Sequence, residues 1–220
     1  MRQNCTGGFY RLILLTAIVL ITNVNTMRSQ NGALSDPQVA IFLDGLAKRA
    51  SEVTTLSARF EQVKRMEMIK GELVSHGKFR YSKENKIAFM YEKPGKYSMI
   101  MNGSYMKMVT ASGTSTMNLS ANPVMKQMQE LITAVFTGEL KESANYDIVF
   151  SMAADKINAS VKPKSARLQS VISIINIVFS KDSGDILEIS VKEGSGGTTN
   201  YRFFDQTINQ NIDNEIFRIN

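Results

Sequence analysis

An α+β fold, with a large antiparallel sheet curled around two amphipathic helices, is predicted by three features of the sequence. Period-two alternation fills most of the chain after Leu56. Two segments interrupt it with helical spacing and a cap-then-proline start. The pair Asn102-Gly103 lies in "YSMIMNGSYMKM", residues 97–108, as a strong short-range hairpin signal. A twisted open sheet of about ten strands tends to curl, and two helices are available to cover its concave face.

The first helix starts where Asp36 can cap it and Pro37 suits its first turn; Val39, Leu43, Leu46, Ala50 and Val53 then form one apolar stripe. The second starts at Asn122-Pro123, lines one face with Val124, Met128, Leu131, Ile132 and Val135, and stops near Gly138.

Strands are read at "ARFEQVKR", at "HGKFRYS" and at "KIAFMYE". In the last two, Phe79, Tyr81, Ile87, Phe89 and Tyr91 share the apolar side, opposite Lys78, Arg80, Lys86 and Glu92. Pro94-Gly95 makes a turn, the methionine hairpin follows, and "TSTMNLS" extends the meander. After the second helix come "YDIVFS", "INASVKP", "SVISIINIVFS" (apolar on both faces, so expected to be covered on both), "ILEISVK", "TNYRFF" and a closing strand at "EIFRI".

If Asn102 and Gly103 are the loop residues, Met101 pairs with Ser104, Met99 with Met106 and Tyr97 with Met108. All four methionines then share one face with Tyr97, while Ser98, Ile100, Tyr105 and Lys107 take the other. Methionine has three soft torsions and a polarizable sulfur, so it packs irregular or changing shapes. By patterning alone a methionine-rich core is the ordinary reading; the other is a surface that meets a helix and a variable apolar ligand in turn.

The 220 residues suit one domain plus a targeting segment. Arg2 and Arg11 precede "LILLTAIVLI" and the polar "TNVN", the order of a secretory leader. Roughly ten apolar residues are too few for a bilayer that needs about 20 in a helix. We therefore expect a cleaved signal peptide over 1–26 and a single domain over 27–220, exported and soluble, an uncleaved anchor being the alternative. Cys5 lies before the apolar run, so the mature chain would have no disulfide, thiol nucleophile or lipid-bearing cysteine of its own.

The formal net charge of +6 includes Arg2 and Arg11, and the remaining basic residues are dispersed as in "KENKIAFMYEKPGK". No basic stripe with interleaved aromatics points to nucleic acid. Histidine is present only at His76, no G-x-S-x-G surrounds a serine, and H-E-x-x-H, Walker and G-x-G-x-x-G motifs are missing. The expectation is no enzyme, no cofactor and no metal; an enzyme using the apolar face as its active site would have to lean on His76.

The run from "LSARFEQ" through "YSMIMNGSYMKM" resembles the bacterial outer-membrane lipoprotein carrier family, the LolA-like proteins. The resemblance is carried by Phe60-x-Gln62, Gly77-x-Phe79, Phe89, Pro94 and Asn102-Gly103 (the family usually has Asp-Gly), and by Tyr201, Phe203, Ile212, Phe217 and Ile219 near the end. It implies a curved, incomplete antiparallel barrel of ten or eleven strands whose hydrophobic cavity is closed by a helical lid.

It also implies a monomeric periplasmic chaperone that accepts triacylated lipoproteins from an inner-membrane ABC transporter complex and delivers them to an outer-membrane receptor. A sensor of the same fold, binding lipoprotein or another amphiphile without transferring it, is the alternative. Under the resemblance the cavity is lined by Phe60, Phe79, Tyr81, Ile87, Phe89, Tyr91, Tyr97, Met99, Met101, Met106 and Met108, and the lid presents Leu43, Leu46, Met128, Leu131 and Ile132. Family members carry an Arg-Pro dipeptide whose arginine latches the lid; Lys83-Glu84 stands there, so Lys83 is the candidate latch, without the planar fork of donors an arginine would offer.

Overall fold

The computed structural model describes residues 32–67, 69–140 and 143–220; the expected leader lies outside the described residues. After a two-residue strand β1 (Gly32–Ala33) comes helix α1 (Asp36–Glu52), then β2 (Thr55–Met66), β3 (Ile69–Ser82), β4 (Lys86–Lys93), β5 (Tyr97–Asn102), β6 (Tyr105–Thr110) and β7 (Gly113–Asn118). Helix α2 (Pro123–Thr137) interrupts. Strands β8 (Tyr146–Ala153) and β9 (Lys156–Pro163), a single helical turn α3 (Ala166–Gln169), and β10 (Ile172–Ser180), β11 (Ile186–Glu193) and β12 (Thr198–Ile208) complete the order.

All twelve strands join one open antiparallel sheet in the order β1-β8-β9-β10-β11-β12-β2-β3-β4-β5-β6-β7. The chain thus starts in the middle: β2 pairs with β12, so the two halves of the sequence form the two wings of the curl. One face carries a continuous apolar core in which β2, β3, β4, β8, β9, β10 and β12 all contribute buried side chains, and α1 and α2 lie on it. The architecture is the expected α+β incomplete barrel, with one strand more than the upper expectation.

Helix starts follow local chemistry. For α2 the cap is Asn122, whose side chain accepts from the backbone N–H of Val124 at 2.9 Å, with Pro123 opening the helix. For α1 the cap is Ser35, one residue before the Asp36 expected, and Gln38 Oε1 reaches back to accept from the Ser35 N–H at 3.0 Å. Gly138 ends α2 at φ +70°, and a Cβ there would sit 2.8 Å from the carbonyl oxygen of Leu46. Glycine is required twice over, by conformation and by the close approach of α1.

Three sequence expectations are corrected. The hairpin loop is Gly103-Ser104, not Asn102-Gly103: Asn102 pairs with Tyr105, Met101 with Met106 and Met99 with Met108. Positive φ occurs at Gly103 and not at Asn102 or Ser104, as a II′ turn demands of its first central residue. The slip moves each partner by two residues, which preserves parity, so the four methionines still share a face.

The run at β10 is fully covered on one face only. Ile177 and Phe179 are buried, whereas Ile174 and Val178 are half-buried and Asn176 is exposed. A bulge between Ile172 and Ile174 breaks the alternation and lets Ile172 and Ile175 both face inward. Finally, "EIFRI" is no strand: Asn214–Phe217 form a 3₁₀ turn, and Phe217 packs on Ala88 and Ile100 on the convex face. Its apolar residues 212, 216, 217 and 219 lack the period of two that a strand needs.

Candidate functional site

Beneath α2 the concave face does not close. A cavity of about 440 Å³ lies between the helix and the wing formed by β2, β10, β11 and β12. Its roof is Met128, Leu131, Ile132, Val135 and Phe136; its floor includes Ile175, Ile177, Ile189, Val191 and Phe203; Phe89 and Met99 form one side and Leu168 of α3 the other. The helix is wedged in place by aromatic packing, with Phe136 stacked on Phe79 at 5.0 Å and on Tyr81 at 5.8 Å between ring centroids.

Polar tethers on α2 are few. Tyr146 donates its hydroxyl to the Gln127 carbonyl at 2.7 Å, and Gln129 donates to the Gly103 carbonyl in the hairpin turn. The helix is therefore pinned to both wings, to β8 and to the β5–β6 turn. The amino group of Lys83 donates to the Ser51 carbonyl, 2.7 Å away in the last turn of α1. This is a favourable place for a cation. It ties α1, not α2. Glu84 beside it has φ +69°, a conformation closed to proline, so the Arg-Pro form of this turn could not be adopted here. Arg49 adds an ion pair with Asp185 to the same end of α1.

Of the side chains named from sequence, Phe89, Met99, Met128, Leu131 and Ile132 line the cavity. Phe60, Phe79, Tyr81, Ile87, Tyr91 and Met101 are buried in the adjoining core, with Tyr97 and Met106 half-buried against it. Met108, half-buried, shares their face through its pairing with Met99. Leu46 is buried and Leu43 half-buried under α1, away from the cavity. The methionine face grades outward: Met101 is 6% exposed, while Met117, brought alongside by β7, is 47% exposed.

Sequence reasoning missed the floor. Ile175, Ile189, Val191 and Phe203 alternate correctly in their strands, but the bulge in β10 and a second irregularity between Phe204 and Thr207 hide which parity faces in.

The polar part of the wall gathers where β2 meets β12. Gln62 donates to the Tyr201 hydroxyl at 3.2 Å, that hydroxyl lies 3.2 Å from the Tyr91 hydroxyl, and Tyr91 stacks on Tyr97 at 4.0 Å. Burial, reinforced by the neighbouring Tyr201, pushes the Tyr91 phenol far above its ordinary range, and burial raises Tyr201 as well. Tyr146 is pushed up to about 12 by burial and by Glu130. Next to this group Lys64 and Glu193 pair at 3.2 Å, and Thr199 donates to the same carboxylate at 3.2 Å.

His76 is exposed and points to the convex side, since Gly77, Phe79 and Tyr81 take the other parity. Among the described residues no group of three or more His, Cys, Asp or Glu is placed to hold a metal ion, and no helix is long and apolar enough to cross a membrane. A larger, more open groove of about 520 Å³ runs along α1, but Lys48, Arg49, Glu52, Lys181 and Asp182 line it. An apolar ligand there would desolvate several charges; beneath α2 it would replace empty space lined mostly by hydrocarbon, with Lys64 and Glu193 confined to one end.

No curated protein matches the sequence. Among solved structures, the LolA superfamily protein of Nitrosomonas europaea is similar at 10% identity and TM-score 0.41, covering 80% of this chain and 97% of that one. The Mycobacterium tuberculosis lipoprotein LppX is similar at 13% identity and TM-score 0.45, with 81% and 100% covered. The Pseudomonas aeruginosa MucA/MucB complex structure gives 10% identity and TM-score 0.44, with 83% of this chain and 61% of that one covered. The family described as outer membrane lipoprotein carrier protein LolA matches residues 51–220, which includes every strand of the sheet except β1. The chain belongs to that lipoprotein carrier family.

Proposed function

We propose that this protein is a periplasmic chaperone that shelters the acyl chains of lipoproteins in the cavity beneath α2 while carrying them between membranes. The supporting observation is the cavity itself: about 440 Å³, apolar over most of its wall, and roofed by a helix held to the wings by two side-chain hydrogen bonds. Each methylene removed from water contributes about 0.8 kcal/mol, so a chain of ten or so buried methylenes offsets the separation of α2 from the floor.

Release needs the reverse, and the apolar side chains of α2, Met128, Leu131 and Ile132 among them, can refill the space that the ligand vacates. Met128 in the roof and Met99 in the side wall suit either occupant, because thioethers adapt to both. In this reading the chain is exported by its leader, receives cargo from an inner-membrane ABC transporter and passes it to an outer-membrane receptor.

Inner-membrane vesicles carrying a radiolabelled lipoprotein and its transporter test the proposal. The expected result is labelled lipoprotein released into solution with the protein, then moved to outer-membrane vesicles. Binding without onward delivery would replace the carrier with a sensor. No binding at all would refute both.

A further inference from the structure

The cavity has one end unlike the rest. Lys64, Gln62, Thr199, Tyr201 and Glu193 are contiguous by strand register, Gln62 opposite Tyr201 and Lys64 opposite Thr199, and they interrupt an otherwise hydrocarbon wall. The contacts within the group are unevenly shared. Lys64, among the described residues the only cation of this wall, is paired with Glu193, and Glu193 also accepts from Thr199. The end is therefore rich in polar atoms yet close to neutral.

Gln62 uses one amide N–H on the Tyr201 hydroxyl. Among the described residues its second N–H has no protein partner, and the Tyr201 and Tyr91 hydroxyls share a single bond between them. With burial holding both phenols protonated, two neutral hydroxyls and one amide converge at the edge of an apolar chamber.

We propose, resting on the lipid-carrier reading above, that this end binds the ester or amide carbonyl at the head of an acyl chain, with Gln62 and Tyr201 as donors and the chain running beneath α2. The ligand class is then neutral acyl esters and amides rather than free fatty acids or phosphates. An anion would have to compete with Glu193 for Lys64 or sit beside that carboxylate unpaired, which costs more than placing a carbonyl there. The donors also set direction: carbonyl at the β2–β12 edge, methyl end toward Ile177 and Leu131.

The test uses purified protein and displacement of the apolar dye 1-N-phenylnaphthylamine by monoolein (a neutral ester), by oleate and by 1-octadecene, which has no carbonyl. In the unaltered protein monoolein should bind more tightly than both others at neutral pH. In Tyr201→Phe and in Gln62→Leu the preference for monoolein over octadecene should each fall about three- to tenfold, the worth of one hydrogen bond. Thermal melts check that both variants fold, and the two substitutions guard against failure of either.

A preference that survives both substitutions, or oleate binding as tightly as monoolein, overturns the inference while leaving the lipid reading in place. If neither the dye nor any of the three lipids enters the unaltered protein, the lipid reading falls and this inference with it.

Discussion

Placing a charge at Met99 tests the cavity assignment and the strand faces of the hairpin together. Met99 points into the cavity, opposite Phe89 on one neighbouring strand and Met108 on the other. Its neighbour Ser98 points to the convex side, between Met90 and Val109. In Met99→Lys a bound chain loses contact with a side chain whose burial contributes about 1.5–3 kcal/mol. The ammonium itself escapes by extending its stem toward the open edge of the hairpin, so its full desolvation cost is not added. That loss of about 1.5–3 kcal/mol corresponds to affinity weakened roughly ten- to a hundred-and-fiftyfold.

Ser98→Lys, one residue away, should leave affinity within about twofold, because successive side chains point to opposite faces. Dye displacement by monoolein measures both, with urea unfolding as a check on stability. Equal weakening by the two variants, or no effect from Met99→Lys, would show that the cavity does not receive the ligand or that the strand faces are misassigned.

The remaining predictions concern stability and pH. Phe136→Ala removes stacking on Phe79 and Tyr81 and should lower unfolding free energy by about 2–4 kcal/mol; a change below about 1 kcal/mol would mean that α2 is not wedged by that ring. Gly138→Ala should destabilise by at least about 1 kcal/mol, since φ +70° and the Leu46 carbonyl both oppose a Cβ, whereas Gly45→Ala, mid-helix with open space around it, should stabilise by up to about 1 kcal/mol. Urea midpoints decide both.

Stability should fall as pH rises through 10. The folded pKa values of Tyr91 and Tyr201 lie above the unfolded value near 10, so their contribution is complete below pH 10 and is lost as the unfolded chain releases protons that the folded chain retains. Unfolding free energies from pH 8 to 11 should show this slope, and Tyr91→Phe should make it shallower. An unchanged slope would mean that the Tyr91 phenol titrates normally.

Much of the fold was legible because its signals are local. Asn122-Pro123 and Gly138 bound α2 chemically, and the alternation in β3 and β4 marks their inner face without reference to any partner. Even the misread turn did limited harm: shifting a hairpin pairing by two residues conserves parity, so the methionine face survived an incorrect loop. The cavity floor was less legible. The bulge at Ile172–Ile174 makes parity before and after it disagree, and Phe217 ends in a satellite cluster on the convex face because its partners, Ala88 and Ile100, lie more than a hundred residues away in sequence.

By itself, the amino-acid sequence determined the inner faces of β3 and β4, the two helices, the cap of α2, and the clustering of pliable methionines on one side of a hairpin, since each rests on spacing within a few residues. Tertiary structure alone decided that α2 spans the two wings without filling the space between them, that Lys83 holds α1, and that Gln62, Tyr201 and Lys64–Glu193 collect at one end of the resulting cavity. A void is the mismatch between surfaces brought together from opposite ends of a chain, and no local period records how well two such surfaces fit.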